Sequence, residues 1–488
     1  MFLARLLVLF SLVCISCAHS SFEQKQLKHA LDFATSNRLE LEILLQHYTY
    51  DSLKLEAAKF LIRNMPHCYS YQQGGEMDSV KRVRTYYSPF GQIDQTYARR
   101  WGHYTYRNLP KIYDAHIITA EYLIDNIDRA FDNWQKRPWN RSLSFEDFCE
   151  YLLPYRIGDE PLEEWRELYE KKYGYLLDSI YKGSDVVEAA NLVSRHLQEP
   201  VFIYCEDFEL PHIGPRYLFS HRYGSCVDAA DIVTYAFRAV GIPCMEDTDA
   251  RGGRVWNVVR DTTGRDVPIW YIASEAVRGS RDTGGYKRGK VYRPMYGFQE
   301  AKAAHLGDDW KSMPLLFYHP YMKDVSYAYY PDTLRILTGI PDDEVCYLAH
   351  FHEAHWWSCA CARSASGKME IPNLESELVY LPMKYTKGNY YSSGFPFWFA
   401  GGEINTFLPD WEKTVKVRLY RKYPVYGWLR SFMGHVVGGT FEGSMTKNFE
   451  DGKTLYEIAD TPVIARNRIF LNKSVKCRYI RYKADNDK

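Results

Sequence analysis

The chain has no charge of one sign to spare. Lysine and arginine together number 61, as do aspartate and glutamate, so the net charge is zero. A nucleic-acid binder carries a basic excess or a basic face, and neither is visible, so no nucleic-acid partner is expected. No Cys-x-x-Cys pair occurs among the 11 cysteines, which removes the usual support for a zinc knuckle or a dithiol redox motif. No repeat or low-complexity tract is evident. The apolar run at the N-terminus, Leu6 to Ile15, is too short to span a bilayer comfortably. Nothing in the pattern asks for a cofactor or a resident metal.

What is present is ample core material. Hydrophobic residues make up 46% of 488 positions, enough to bury a sizeable interior and to exclude wholesale disorder. At roughly 100–200 residues per domain, the length suits two to four domains. The 41 tyrosines suit half-buried sheet positions, and some could stack on sugars or line a binding groove. Residues 1–17 read as a secretory signal. Arg5 supplies a positive charge, the apolar run follows, and Ser16-Cys17 closes it. The end of the run resembles a bacterial lipobox, with Cys14 where that pattern prefers Leu. Cys17 would then be the lipidated first residue of the mature protein, anchored without a transmembrane helix. The alternative is an ordinary cleaved signal with a chance cysteine. Setting aside Cys14 and Cys17 leaves nine cysteines, an odd number, which fits at least one free thiol in a compartment that permits disulfides.

Helical periodicity dominates residues 18–183. Asp51 is placed to cap a helix bearing Leu53, Leu55, Ala58, Leu61 and Ile62. Over 112–136, Ala120, Leu123, Ile124, Ile127, Ala130, Phe131 and Trp134 form one continuous stripe. Further helices are expected at 145–152, 161–180 and 184–197. The Tyr/Arg-rich stretch 66–110 takes no clear assignment. From about 313 the texture changes to short alternating segments, such as Leu378–Leu381 and Val415–Tyr420, parted by turn residues. Residues 313–488 read as a β-rich module, expected to be a sandwich. Val475 to Lys488 looks like the first strand of something that stops short.

The chemistry concentrates between. Gly224 and Ser225 allow a tight turn before Cys226, which opens a helix with Ala229, Val233, Ala236 and Phe237 on its apolar face. Gly241 stops that helix and Pro243 lies just beyond. A thiol at a helix N-terminus meets partial positive charge and free N–H groups, which favour a thiolate and can hold an oxyanion. Gly224-Ser225-Cys226 and Arg238-Ala239-Val240-Gly241-Ile242-Pro243 resemble the transglutaminase-like superfamily, a papain-like cysteine fold. The following Arg254-Val255-Trp256 lies where that family has a strand bearing His-x-Trp. Asp261-Thr262-Thr263-Gly264 makes the turn, and Val267-Pro268-Ile269-Trp270 stands where a second strand ends in Asp. The resemblance covers roughly 184–295, and the flanks are similar to a subfamily of bacterial envelope lipoproteins. It implies an α+β multidomain chain: a helical N-terminal region (18–183), a papain-like transglutaminase core (184–312) and a C-terminal β-sandwich (313–488). Within the core it implies a nucleophile position at Cys226 and structural roles for Gly224 and Trp256.

The departures concern catalysis. Arg254 stands at the family's His position and Trp270 at its Asp position. An arginine stays protonated and cannot shuttle a proton to a leaving amine, and losing a general acid–base costs about 10²–10⁴ in rate. His221, on the loop entering the helix, and Glu275, past the second strand, are possible substitutes; otherwise they are a loop residue and a solvated carboxylate. A second cluster, His350, His352, Glu353, His355, Cys359 and Cys361, invites a metal reading, but its spacing is not His-Glu-x-x-His. The plainer reading is a hairpin with exposed histidines and Trp356-Trp357 in the return strand. The sequence therefore points to an exported, lipid-anchored protein of the bacterial cell envelope, on its periplasmic or surface side. Its degenerate Cys-His-Asp module would bind a peptide, glycopeptide or glycan. The alternatives are an active cysteine hydrolase or acyltransferase working on amide bonds, of protease or amidase type, and a purely structural lipoprotein.

Overall fold

The computed structural model describes residues 21–86, 95–101, 104–205, 208–251, 253–270, 275–280, 287–300, 313–337, 341–352, 355–410, 412–413, 434–462, 469–471 and 475–484. The signal segment, Cys17 and the expected strand at Val415–Tyr420 lie outside them. The chain is mixed helix and strand, with helices gathered in the first half and sheets in the second. Two compact units divide it, residues 1–408 and 409–488.

Helices α1 (21–33), α2 (Arg38–His47) and α3 (Ser52–Asn64) open the first unit. Asp51 caps α3, accepting from Lys54 N at 3.1 Å. The 66–110 stretch contains strand β1 (Tyr69–Tyr71), paired antiparallel with β2 (Lys111–Tyr113), and helices α4 (Glu76–Arg84) and α5 (Gln95–Trp101). The striped segment folds as α6 (Ala120–Lys136), capped by Thr119; the residues before it form β2 and a short 3₁₀ turn instead of more helix. Then follow α7 (Phe145–Tyr151), α8 (Arg166–Tyr175) and α9 (Val186–Leu197), with Asp185 capping the last.

The centre of the unit is one helix on one sheet. Strand β3 (Ile203–Tyr204) pairs in parallel with β4 (Tyr223–Gly224), and a short helix α10 (Pro215–Ser220) lies between them. From β4 the chain passes into α11 (Cys226–Ala239), in which every residue except Val227 is buried. Gly241, at φ +81°, ends it as the sequence suggests. Strands β5 (Cys244–Asp249), β6 (Val255–Arg260), β7 (Asp266–Ile269), β8 (Val291–Pro294) and β9 (Met322–Asp324) form an antiparallel sheet in the order β7-β6-β5-β8-β9. Asp261 makes the β6–β7 turn by accepting from Thr263 N and Arg265 N. Strand alternation sorts the faces. Cys244, Val259, Val267 and Ile269 join α9 and α11 in one core, whereas Met245, Trp256 and Val258 face a second core with Tyr151 and Tyr329. The first core also takes Trp139, Trp165 and Tyr169, so it runs continuously across residue 183.

The rest of the unit is a six-stranded antiparallel sheet. Strands β11 (Val345–His352), β12 (His355–Arg363), β14 (Leu378–Thr386), β16 (Phe397–Ala400) and β17 (Glu403–Thr406) run in the order β12-β11-β14-β16-β17, and β15 (Asn389–Ser392) is added to β14. One face packs on the ribbon β10 (Leu334–Leu337) with β13 (Lys368–Ile371) through Leu334, Met369, Leu348 and Phe397. The other face meets Tyr292, Met313 and Phe317. The second unit, taken alone, is a three-stranded sheet in which β18 (Thr440–Ser444) lies between β19 (Lys453–Glu457) and β20 (Tyr479–Lys483).

The entry to α11 is held by Asp228. Its Oδ2 accepts from Ser225 N at 2.7 Å and from Ser225 Oγ at 3.0 Å, and it meets Arg84 of α4 at 2.9 Å, with both partners buried. Gly224 is required here by close approach, since a Cβ at that position would lie 2.4 Å from that of Asp228. Removing one partner of a buried pair leaves a charge without compensation. Asp228→Ala is therefore expected to cost about 3–5 kcal/mol in chemical denaturation; a loss below about 1 kcal/mol would mean that the pair is not a tether.

Candidate functional site around Cys226

Cys226 occupies the first turn of α11 and is 5% exposed. Its Sγ donates to the carbonyl of Gly253 at 3.8 Å. That carbonyl is presented by the β5–β6 loop, which Asp249 organises. The Asp249 carboxylate accepts from Gly253 N at 2.9 Å and Arg251 N at 3.1 Å, and it pairs with the Arg251 guanidinium at 2.9 Å. The loop also touches the six-stranded sheet, where Arg251 lies 5.6 Å over the ring of Trp357. The thiol thus meets two opposed influences. The helix N-terminus favours a thiolate, and a carbonyl oxygen at the sulfur favours the protonated form.

The other expected residues are distributed as follows. Arg254 sits at the start of β6, and its carbonyl accepts from Asp249 N at 3.2 Å. Trp270 follows β7 and packs on Trp256, with ring centroids 5.5 Å apart. Trp256 belongs to the core on the sheet face away from α11, so Trp270 is directed there rather than toward the sulfur. The buried Arg288 guanidinium lies over both indoles, 4.5 Å from Trp256 and 5.2 Å from Trp270. Trp256 Nε1 donates to Tyr329 Oη at 2.9 Å, and Tyr329 donates to Asp247 at 2.6 Å. The pair reads as a cation–π stack that stabilises this face of the sheet.

His221 is exposed and stacks on Tyr217 at 4.6 Å. Glu275 is exposed and pairs with Arg195 at 2.6 Å. The histidine-rich segment forms the expected hairpin, β11 with β12, in which His352 faces His355. His350 departs from expectation. It is 1% exposed, neither ring nitrogen has a hydrogen-bond partner, and burial pushes its imidazole down to about 4. The reason is strand parity, which places His350 on the face that carries Leu348. No group of three metal-ligating side chains occurs among the described residues, and no disulfide joins any two of the described cysteines.

The sequence reading missed a buried polar stripe on α11 itself. Asp228, Asp231, Thr234 and Arg238 recur at helical spacing, all at most 5% exposed. Asp231 accepts from His212 Nδ1 at 2.9 Å, Thr234 donates to Glu246 of β5 at 2.6 Å, and Arg238 donates to the Cys244 carbonyl at 3.1 Å. Burial opposes charge on His212, but the adjacent Asp231 carboxylate outweighs it and holds the imidazole well above its ordinary value. The signal was legible as four polar residues at i, i+3, i+6 and i+10 on a helix that is apolar elsewhere.

No protein-family model matches the sequence, and no curated protein or solved structure matches it. Because His221 contacts Tyr217 in the open and Glu275 is tied to Arg195, replacing either by Ala should change stability by less than about 0.5 kcal/mol. The rate of Cys226 alkylation by iodoacetamide should also stay within about twofold, since neither group acts as its base. A tenfold slower reaction of the His221→Ala protein would restore His221 as the base.

Proposed function

We propose that this chain is an envelope-anchored lipoprotein whose transglutaminase-like, papain-like module binds a peptide, glycopeptide or glycan and does not turn it over. Several observations support the reading. A helix headed by a cysteine packs on an antiparallel sheet whose second and third strands follow it in sequence, which is the order the resemblance implies. Cys226 is enclosed and bonded to a backbone carbonyl. The observation that carries the proposal is Trp270. At the position where the resemblance puts an acid, this chain has an indole stacked with Trp256 under a buried guanidinium. An orienting carboxylate is what fixes a catalytic imidazole, and here that place is spent on packing. The C-terminal β-rich region also exposes aromatic rings such as Trp357 and Tyr391, which suit ligand stacking.

The second reading, an amide-cleaving or acyl-transferring cysteine enzyme, draws on the placement of Cys226 at a helix N-terminus. Labelling with a thiol-reactive amide-mimic probe separates the two. Under the binding reading, the native protein and Cys226→Ala label equally. Labelling of the native protein that is more than about tenfold stronger, the size of effect one general base supplies or exceeds, would favour the enzyme. Anchoring has its own test: radiolabelled lipid enters the native protein in cells and is lost in Cys17→Ser. Incorporation that survives the substitution would remove the anchor.

A further inference from the structure

Behind α11, on the side of its polar stripe and apart from Cys226, lies a cavity of about 420 Å³. Its wall includes Arg238 of α11, Glu246 of β5 and Glu150 of α7. Glu246 is 7% exposed. Its Oε1 accepts from Thr234, and Oε2 has no hydrogen-bond partner among the described residues. Glu150 accepts only backbone N–H groups, from Tyr296 at 3.0 Å and Gly297 at 3.1 Å. Neither carboxyl forms an ion pair among the described residues.

Of the other charges in the wall, Asp159 accepts from His212 N at 3.0 Å. Arg156 is held by Asp114 and Glu160, and Glu160 takes the N–H groups of Ile157 and Gly158, both at 2.7 Å. His212 is matched by Asp231. Arg238 is the cation that acts on both Glu150 and Glu246; Lys323 also acts on Glu150 and His212 on Glu246, in each case without an ion pair to the carboxyl. Burial pushes Glu150 up to about 7 and raises Glu246 as well, opposed only in part by the hydrogen bonds from Tyr296 and Gly297 to the one and from Thr234 to the other, and then by the nearby cations. Part of the remaining wall is aromatic. Tyr296 and Tyr321 enclose His67, whose ring stacks on Tyr321 at 3.5 Å and whose Nδ1 is buried without a partner. Carboxylate oxygens and aromatic faces together are the chemistry that holds an ammonium group.

We infer that this cavity is a binding site for a small organic amine, whose ammonium group supplies the positive charge that Glu150 and Glu246 lack. The inference does not rest on the fate of Cys226. An ammonium at Glu150 favours the carboxylate, so binding expels the proton that Glu150 carries in the empty site. The balance is one ammonium in and one proton out to solvent.

The test is calorimetric titration of the full chain with n-butylamine, with butan-1-ol as the uncharged counterpart, in buffers of different ionisation enthalpy. The amine is expected to bind at least tenfold more tightly than the alcohol. It should release about one proton at pH 6, falling toward none by pH 8.5 as Glu150 ionises on its own. Glu150→Gln should abolish the proton release, and Glu246→Gln should weaken binding at least tenfold. Equal binding of amine and alcohol, or amine binding without proton release at pH 6, would overturn the inference. So would an affinity untouched by both substitutions, or calcium binding at the site in place of the amine. If either variant fails to fold, the proton count and the amine-to-alcohol ratio on the native protein decide alone.

Discussion

The structure depends on a polar stripe buried at its centre. Helix α11 is buried at every residue except Val227, yet it carries two carboxylates, a hydroxyl and a guanidinium inward. Burying such groups without partners would cost several kcal/mol each, more than a domain's net stability allows. Each must therefore be met, and the partners come from well-separated parts of the chain. Asp228 takes Arg84 of α4, Asp231 takes His212 of the loop before α10, Thr234 takes Glu246 of β5, and Arg238 takes backbone carbonyls at Cys244 and Arg156. The helical first half and the sheet are joined through these contacts as much as through apolar packing.

That constraint explains why chemistry on α11 splits in two. Its N-terminal end points Cys226 at the β5–β6 loop, where Asp249 fixes the carbonyl that receives the thiol. Its inward stripe meets a polar cavity where Glu150 and Glu246 form no ion pair among the described residues. On the other side of the sheet, the face that carries Trp256 is closed by Trp270 and Arg288. A module built on this plan can keep its architecture with a tryptophan in place of an acid, because the indole stack stabilises the sheet independently of any reaction at the sulfur.

Much of the local structure was legible in the sequence. The cap at Asp51, the Gly241 stop, the Asp261 turn and the amphipathic stripe of α6 are short-range signals with short-range causes. The cysteine at the head of α11 was legible for the same reason. The pairing of β1 with β2 was not, because its strands are three residues long and 40 positions apart. Nor was the partner of Asp231, since His212 lies 19 residues earlier in a loop without a periodic signal. The burial of His350 was misjudged because a histidine in a hairpin reads as solvent-facing until the strand's parity against a second layer is known.

The central claim is that α11's buried polar groups are coupled to their partners, and are not merely tolerated. A double-mutant cycle on His212→Gln and Asp231→Asn, read by chemical denaturation, tests it most directly. The account predicts that the two single losses do not add, with a coupling energy above about 1 kcal/mol, because either change breaks the same hydrogen-bonded pair. Losses that add to within about 0.3 kcal/mol would show that the two groups are independent and would contradict the account.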